Sequence, residues 1–183
     1  MICHDFKGGT GTASRVVEKR WTVGALVQAN HGLRERLAVN GVPVGARLAD
    51  VPLPDPAPGP DGSIIVVVAT DAPLLPTQCS RLAQRAALGV ARTGGAGENG
   101  SGDLLLAFST GNRGIGEGGE NGEAAVRMLR NDRLDPLFHA VIEAVEEAIL
   151  NAILASPTMV GRDGLTVHGL DGERLLEALD ARA

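Results

Sequence analysis

The sequence predicts an α/β protein, and three observations carry that prediction. Residues 64–69, Ile-Ile-Val-Val-Val-Ala, and 104–108, Leu-Leu-Leu-Ala-Phe, are short apolar runs of the kind that form buried strands. A helical pattern over 77–92 lies between them, giving the strand–helix–strand order of an α/β layer. A second apolar helix follows Asp135-Pro136, with Phe138, Val141, Ile142, Val145, Ile149 and Ile153 at helical spacing. The chain's 183 residues suit one domain with a real core.

Composition narrows the class. At 44% hydrophobic residues the chain is too apolar to be disordered throughout. Tyr is absent and Phe and Trp are scarce, so Val, Leu, Ile and Ala must fill the core. A net charge of -5, with no Lys/Arg run, argues against nucleic-acid binding. No apolar stretch reaches the roughly 18 residues that span a membrane, and no signal peptide is visible. A cytoplasmic location is therefore expected. Cys3 and Cys79 lack CxxC spacing and are expected as reduced thiols, with a single disulfide as the alternative.

Taken in order, residues 7–14, Lys-Gly-Gly-Thr-Gly-Thr-Ala-Ser, read as a Gly-rich loop. Strands follow at 15–18 and 21–29, turning at Glu18-Lys19-Arg20 without an Asn-Gly type signal. Residues 49–62 place Pro52, Pro54, Pro56, Pro58 and Pro60 at alternate positions, a run that favours an exposed connection outside any sheet ladder. The helix over 77–92 has Thr77 as its expected cap and Gly94-Gly95 as its stop. Residues 93–102 and 111–122 are expected loops. Asp135-Pro136 reads as cap and first position of the next helix, which Ser156-Pro157 ends. Residues 161–168 make a turn and a short strand, and a last helix covers 172–181 on Leu175, Leu176 and Leu179.

Several candidate sites are weak. Gly8, Gly9 and Gly11 lack the Gly-Lys-Ser/Thr of a phosphate loop and read as turn formers. His4, His31, His139 and His168 are scattered without metal-ligand spacing, so no metal is expected. His139 is expected to face solvent or to be hydrogen-bonded. Glu143, Glu146 and Glu147 read as a solvated helix face.

The Gly62-Ser63 junction is different. It sits between the Pro-rich loop and the most apolar strand. Cutting that bond would make Ser63 an N-terminus, with a hydroxyl nucleophile and its own α-amine as base. A free α-amine has a pKa of about 7.7–8.0, suited to proton transfer near neutrality. Gly62 reaches backbone conformations closed to other residues, which helps Ser63 attack its own preceding carbonyl.

Five blocks stand in order: Gly8-Gly-Thr-Gly-Thr-Ala-Ser-Arg15, Val23-Gly-Ala-Leu-Val-Gln-Ala-Asn-His-Gly32, Gly62-Ser-Ile-Ile-Val-Val-Val-Ala-Thr-Asp-Ala-Pro-Leu74, Asn99-Gly-Ser-Gly-Asp-Leu-Leu-Leu-Ala-Phe-Ser-Thr-Gly-Asn112 and Gly161-Arg-Asp-Gly-Leu-Thr-Val-His168. Together they closely resemble the L-aminopeptidase/D-esterase family, which includes the β-peptidyl aminopeptidases. The resemblance covers almost the whole chain. It implies a four-layer α/β/β/α sandwich, similar in layers to N-terminal-nucleophile hydrolases and shared with ornithine acetyltransferases. It implies self-cleavage at Gly62-Ser63 into an α and a β chain that stay together. Ser63 aligns with the nucleophile, and Ser101 and Asp103 with the serine and acidic residue that flank it. Asn30 aligns with the side-chain amide of the oxyanion hole. No metal or organic cofactor is implied; the substrates would be short peptides, amides or esters, and homo-oligomers are expected.

One departure shapes the expectation. Family members carry a substantial region before the Lys-Gly-Gly segment, including an oxyanion-hole tyrosine that this Tyr-free sequence does not supply. Residues 63–183 then correspond to a β chain, and residues 1–62, with the Pro-rich loop 49–62, to the end of an α chain. The leading expectation is a self-processing serine aminopeptidase or esterase. The alternatives are a catalytically incomplete remnant or partner subunit that needs a missing N-terminal segment or partner chain, and an ornithine acetyltransferase-like acyl transferase. The last usually has a threonine nucleophile where this chain has Ser63.

Overall fold

The computed structural model describes residues 1–57, 62–117 and 121–180. Pro58, Pro60, part of the 111–122 loop and position 181 of the expected last helix lie outside them. The elements in chain order are β1 (Ile2–Cys3), β2 (Phe6–Lys7), β3 (Thr10–Val17), β4 (Trp21–Asn30), α1 (Val44–Arg47), β5 (Ser63–Thr70), α2 (Pro76–Arg92), β6 (Leu104–Ser109), α3 (Asp135–Leu154), β7 (Met159–Val160), β8 (Thr166–Val167) and α4 (Gly172–Asp180). The α/β class holds. One four-stranded sheet runs β3-β4-β5-β6, with the first two pairings antiparallel and β5–β6 parallel.

Alternation along the strands gives the sheet two unlike faces. Val23, Ala25, Val27 and Ala29 of β4 and Ile64, Val66 and Val68 of β5 are buried under α2 and α3. The intervening residues point the other way, onto a face that no described residue covers. Register aligns Leu26 with Val67, Gln28 with Ile65, Ile65 with Leu104, and Val67 with Leu106 on that face. It is apolar and open: Leu104 is 62% and Leu106 57% exposed, and Leu26, Ile65 and Phe108 are exposed too. The described residues thus make two layers, one of helices and one of sheet.

The structure corrects the 7–14 loop. Residues 10–14 are the first half of β3, paired one for one with β4 from Thr10↔Gln28 to Val17↔Trp21. The glycine serves packing. A Cβ on Gly11 would run into the Ala148 carbonyl oxygen and lie 2.6 Å from the Ala152 amide nitrogen of α3. Ala144, Ala148 and Ala152, four residues apart, give α3 a flat stripe that settles onto this strand. Gly89 does the same between helices, since a Cβ there would stand 2.7 Å from the Ile142 carbonyl oxygen. The turn at 18–20 forms as expected. Glu18 and Lys19 both take positive φ, and Arg20 N–H donates to the Val17 carbonyl at 2.9 Å. This is the backbone of a type I′ hairpin turn without its usual glycine.

Smaller differences concern caps and connections. α2 starts one residue early at Pro76, and Gln78 rather than Thr77 does the capping: its Oε1 accepts the Leu75 N–H at 3.1 Å. Asp135 is the first helical residue of α3 and makes no capping bond, because Leu134 holds the cap position. Ser156-Pro157 follows the helix end as expected. The Pro-rich segment is not wholly outside the ladder; Asp55 forms an isolated bridge with Thr166, using the N–H that its proline neighbours lack. Cys3 and Cys79 are both free and buried. Glu143 and Glu147 pair with Arg15, and Glu146 with Arg92, on a largely exposed helix face. No helix among the described residues is long and apolar enough to cross a membrane.

The glycine reading has a direct check. Gly11→Ala is expected to destabilise the fold by about 1–3 kcal/mol through overpacking against α3. Gly24→Ala, on the open face where a Cβ meets nothing within 4 Å, is expected to be near neutral. Urea denaturation of both variants beside the unmodified protein reads the difference; equal midpoints would refute it.

Candidate active site

Three strand ends converge at one edge of the sheet. Asn30 is the last residue of β4 and is paired directly with Ser63, the first of β5. Asp103 immediately precedes β6, whose Leu104 is paired with Ile65. Because β4 runs antiparallel to β5 and β6 runs parallel to it, an end and two starts meet at the same edge. All four residues singled out from sequence are therefore neighbours, and Asn30 and Ser63 both point to the open side of the sheet.

Hydrogen bonds fix this cluster. Ser63 Oγ donates to the Gly62 carbonyl at 2.7 Å and accepts the Gly102 N–H at 3.0 Å. Ser101 Oγ donates to Asp103 Oδ1 at 2.6 Å, and the same oxygen accepts the Ile64 N–H at 3.1 Å. The carboxylate thus sits one residue from the peptide nitrogen that would become the Ser63 α-amine. On the other strand, Asn30 Oδ1 accepts the Ile2 N–H at 2.8 Å. A backbone N–H can be met only by the oxygen of the amide, so this bond settles which way the side chain faces. Gly62 lies against the Asn30–His31 backbone: a Cβ there would be 2.7 Å from the Asn30 carbonyl oxygen. A cleft of about 770 Å³ opens beside the junction, with Asn30, His31, Gly62 and Ser101 on one side and Leu53 and Pro54 on another.

Two of the scattered histidines turn out to be adjacent. His4 and His31 are buried with Cys3, their rings edge-on at 5.2 Å. Cys3 Sγ lies 3.9 Å from His31 Nδ1, and His4 Nδ1 is 3.0 Å from the Leu33 carbonyl. One donor atom from each of the three lies within 4.8 Å of the others. A tetrahedral zinc with bonds of about 2.0–2.3 Å wants its ligands about 3.3–3.8 Å apart. The trio offers only three donors, one of them a thiol that burial pushes up to about 12. It fits a buried, weakly hydrogen-bonded cluster better than a metal centre. His139 is exposed on α3 and His168 stands apart by β8.

Sequence reasoning missed Gly102, Ile2 and the buried histidines. Gly102 and Ile2 act through backbone N–H groups, which leave no trace in residue type. The His4–His31 contact depends on chain segments 27 residues apart.

The chain belongs to peptidase family S58, whose model matches residues 1–167. It is 50% identical over 186 residues to a beta-peptidyl aminopeptidase BapA of Sphingosinicella microcystinivorans, covering 93% of this chain and 46% of that protein. Among solved structures it resembles a Burkholderia sp. beta-aminopeptidase with TM-score 0.87 and 52% identity, over 100% of this chain and 52% of that one. It also resembles the L-aminopeptidase D-Ala-esterase/amidase of Ochrobactrum anthropi, described as a new variant among the Ntn hydrolase fold. There the TM-score is 0.83 and the identity 46%, over 98% of this chain and 49% of that one. The chain spans about half the length of these relatives.

The histidine pair makes stability pH-dependent. Burial, with the His4 ring beside it, pushes His31 down to about 4, against the opposing Asp103 carboxylate. His4 is lowered too, chiefly by burial. A base whose pKa is depressed in the fold takes up its proton more readily when unfolded. Stability is therefore intact above the ordinary histidine pKa of about 6.5, falls progressively below it, and reaches its full loss once pH is below about 4. The His31 share of that loss is on the order of 3 kcal/mol when complete. Urea midpoints are expected to fall from pH 7.5 to pH 5, and to fall less in His31→Leu. Parallel pH profiles for the two proteins would contradict the assignment.

Proposed function

We propose that the chain is the nucleophile-bearing half of a self-processing serine aminopeptidase or esterase, with Ser63 as nucleophile. The observation that carries this reading is the direct pairing of Asn30 with Ser63, which sets an oriented amide beside the hydroxyl. In self-cleavage, Ser63 Oγ attacks the Gly62 carbonyl carbon. The Gly62–Ser63 C–N bond breaks, the nitrogen takes the hydroxyl proton, and an ester joins Gly62 to Ser63 Oγ. Water then hydrolyses that ester, leaving a Gly62 carboxylate and a free Ser63 α-amine. Residues 1–62 become an α-chain segment and 63–183 a β chain.

The new α-amine is the base for turnover. It takes the Oγ proton as Ser63 attacks the carbonyl of a short peptide, amide or ester, and gives it to the leaving amine or alkoxide. The acyl group rests on Ser63 until water releases it. Asn30 Nδ2 donates to the oxyanion. Asp103, oriented by Ser101, holds the charged α-amine, and the Gly102 N–H steadies Oγ before attack. Family membership and the aminopeptidase relatives support this chemistry; the ornithine acetyltransferase alternative gains nothing from the serine at 63.

The open sheet face favours a second reading, in which this chain is incomplete alone. The relatives carry about as much chain again, and an apolar face beside Asn30 and Ser63 is where that remaining half would seat as a second sheet. It would close the site from above and supply the rest of the substrate pocket. Assembly into oligomers of such units is part of this proposal.

Intact mass tests the first reading. Cleavage is expected to give species matching 1–62 and 63–183, and Ser63→Ala is expected to remain whole. In a processed enzyme, Asn30→Ala is expected to lower kcat on an amino-acid p-nitroanilide by about 10²–10³-fold. An uncut wild-type chain without hydrolytic activity would favour the incomplete-unit reading, and restored cleavage on adding the relatives' N-terminal half would establish it.

A further inference from the structure

We infer that Arg34 is a positioning residue for the Asn30 amide, acting through the β1–β2 hairpin; this rests on the reading of Asn30 as oxyanion donor. Arg34 is an oddity: an arginine only 6% exposed, on a short 3-10 turn just beyond the active-site strand. Among the described residues, no carboxylate oxygen accepts from its guanidinium. The group instead donates to four carbonyls. Nε reaches the His4 carbonyl at 3.2 Å and an Nη reaches that of Asp5 at 2.8 Å. The other Nη spans the Leu48 and Val51 carbonyls at 3.2 and 2.9 Å. The plane lies over the Phe6 ring at 3.7 Å. The Arg34 backbone N–H closes the ring of contacts on Asp5 Oδ2 at 2.8 Å.

Three of these partners, His4, Asp5 and Phe6, belong to one hairpin. His4 and Asp5 are the two turn residues between β1 and β2, both held at positive φ, where non-glycine residues are strained. Phe6 is the next residue. Arg34 therefore grips the tip of the hairpin from below. Two of the hairpin's other contacts run to the candidate site: His4 N–H donates to the His31 carbonyl at 2.8 Å, and Ile2 N–H donates to Asn30 Oδ1. Removing the guanidinium frees the strained turn, shifts β1, and lets the Asn30 amide rotate. Leu48 and Val51, held by the same group, tie the hairpin to the segment that follows α1.

Geometry explains why arginine is needed. Four acceptors lie in different directions around one plane, and the guanidinium's five N–H donors form a fixed fork. A lysine ammonium has three donors and reaches fewer of these carbonyls at once. Hydrogen bonds from a charged donor are also stronger than neutral ones in a buried site.

Three variants of the 183-residue chain test this: Arg34→Met, Arg34→Lys and Ile2→Pro. The last removes the one N–H on Asn30 and leaves Arg34 in place. Hydrogen exchange read by mass spectrometry is expected to accelerate in residues 1–8 of both Arg34 variants, with 137–153 of α3 unchanged. Hydrolysis of an amino-acid p-nitroanilide by the processed protein is expected to lose about tenfold to a hundredfold in kcat with KM little altered. Arg34→Lys should retain more activity than Arg34→Met, and Ile2→Pro should reproduce the kcat loss. Undisturbed exchange in residues 1–8, an unchanged kcat in Ile2→Pro, or acceleration spread equally through α3 would overturn the proposal. Where the wild-type chain neither cuts itself nor hydrolyses the substrate, the kinetics are read after adding the relatives' N-terminal half, and inactivity there too would defeat the reading of Asn30, while exchange in residues 1–8 would still decide whether Arg34 holds the hairpin.

Discussion

The antiparallel register of β4 and β5 is the constraint on which the site depends. Eight residue pairs run from Val23↔Thr70 to Asn30↔Ser63. Strand alternation leaves no freedom in that ladder: a slip of one residue would carry every buried valine to the open face and turn Ser63 away from Asn30. The buried side of both strands is nearly continuous Val, Ile and Ala, so the core enforces the register and the register sets the site. Side chains with no direct contribution to chemistry thus determine where two polar groups meet.

The same logic explains the glycines of the N-terminal segment. α3 must lie close on β3 and β4 to bury Ala144, Ala148 and Ala152, and any side chain at Gly11 would hold it off. The helix in turn fixes the sheet on which Asn30 and Ser63 sit. Around the edge, Arg34 and the β1–β2 hairpin supply the finer control, through carbonyls and N–H groups rather than through apolar packing. Coarse placement is hydrophobic; orientation is polar.

The sequence made some of this legible and hid the rest. β5, β6, α2 and α3 could be read because each is a long apolar pattern whose period belongs to itself. Ser63, Ser101, Asp103 and Asn30 could be named because long motif blocks carry them, and Asn30, Ser63 and Asp103 fall at or beside strand ends. The strand character of 10–14 was hidden because glycine there answers to a helix some 140 residues away, which local reading takes for a turn signal. Ile2 and Gly102 were invisible because a backbone N–H looks alike in every residue. Arg34 resembled any surface arginine, since only the folded chain surrounds it with carbonyls. Its neighbours come from the separate segments 4–6 and 48–51.

The position of the Gly62–Ser63 bond has a consequence for reversibility. Residues 1–62 contribute β3 and β4, while 63–183 contribute β5 on one side of them and α3 across their faces. A cut at this bond would make a central sheet ladder the seam between two polypeptides. Unfolding would then become dissociation, and recovery a second-order search at whatever concentration the fragments had reached. An uncut chain could renature by itself, whereas a cut one would depend on finding its counterpart. The bond is thus a ratchet: its scission would convert a molecule able to fold again unaided into one that, once taken apart, must be reassembled.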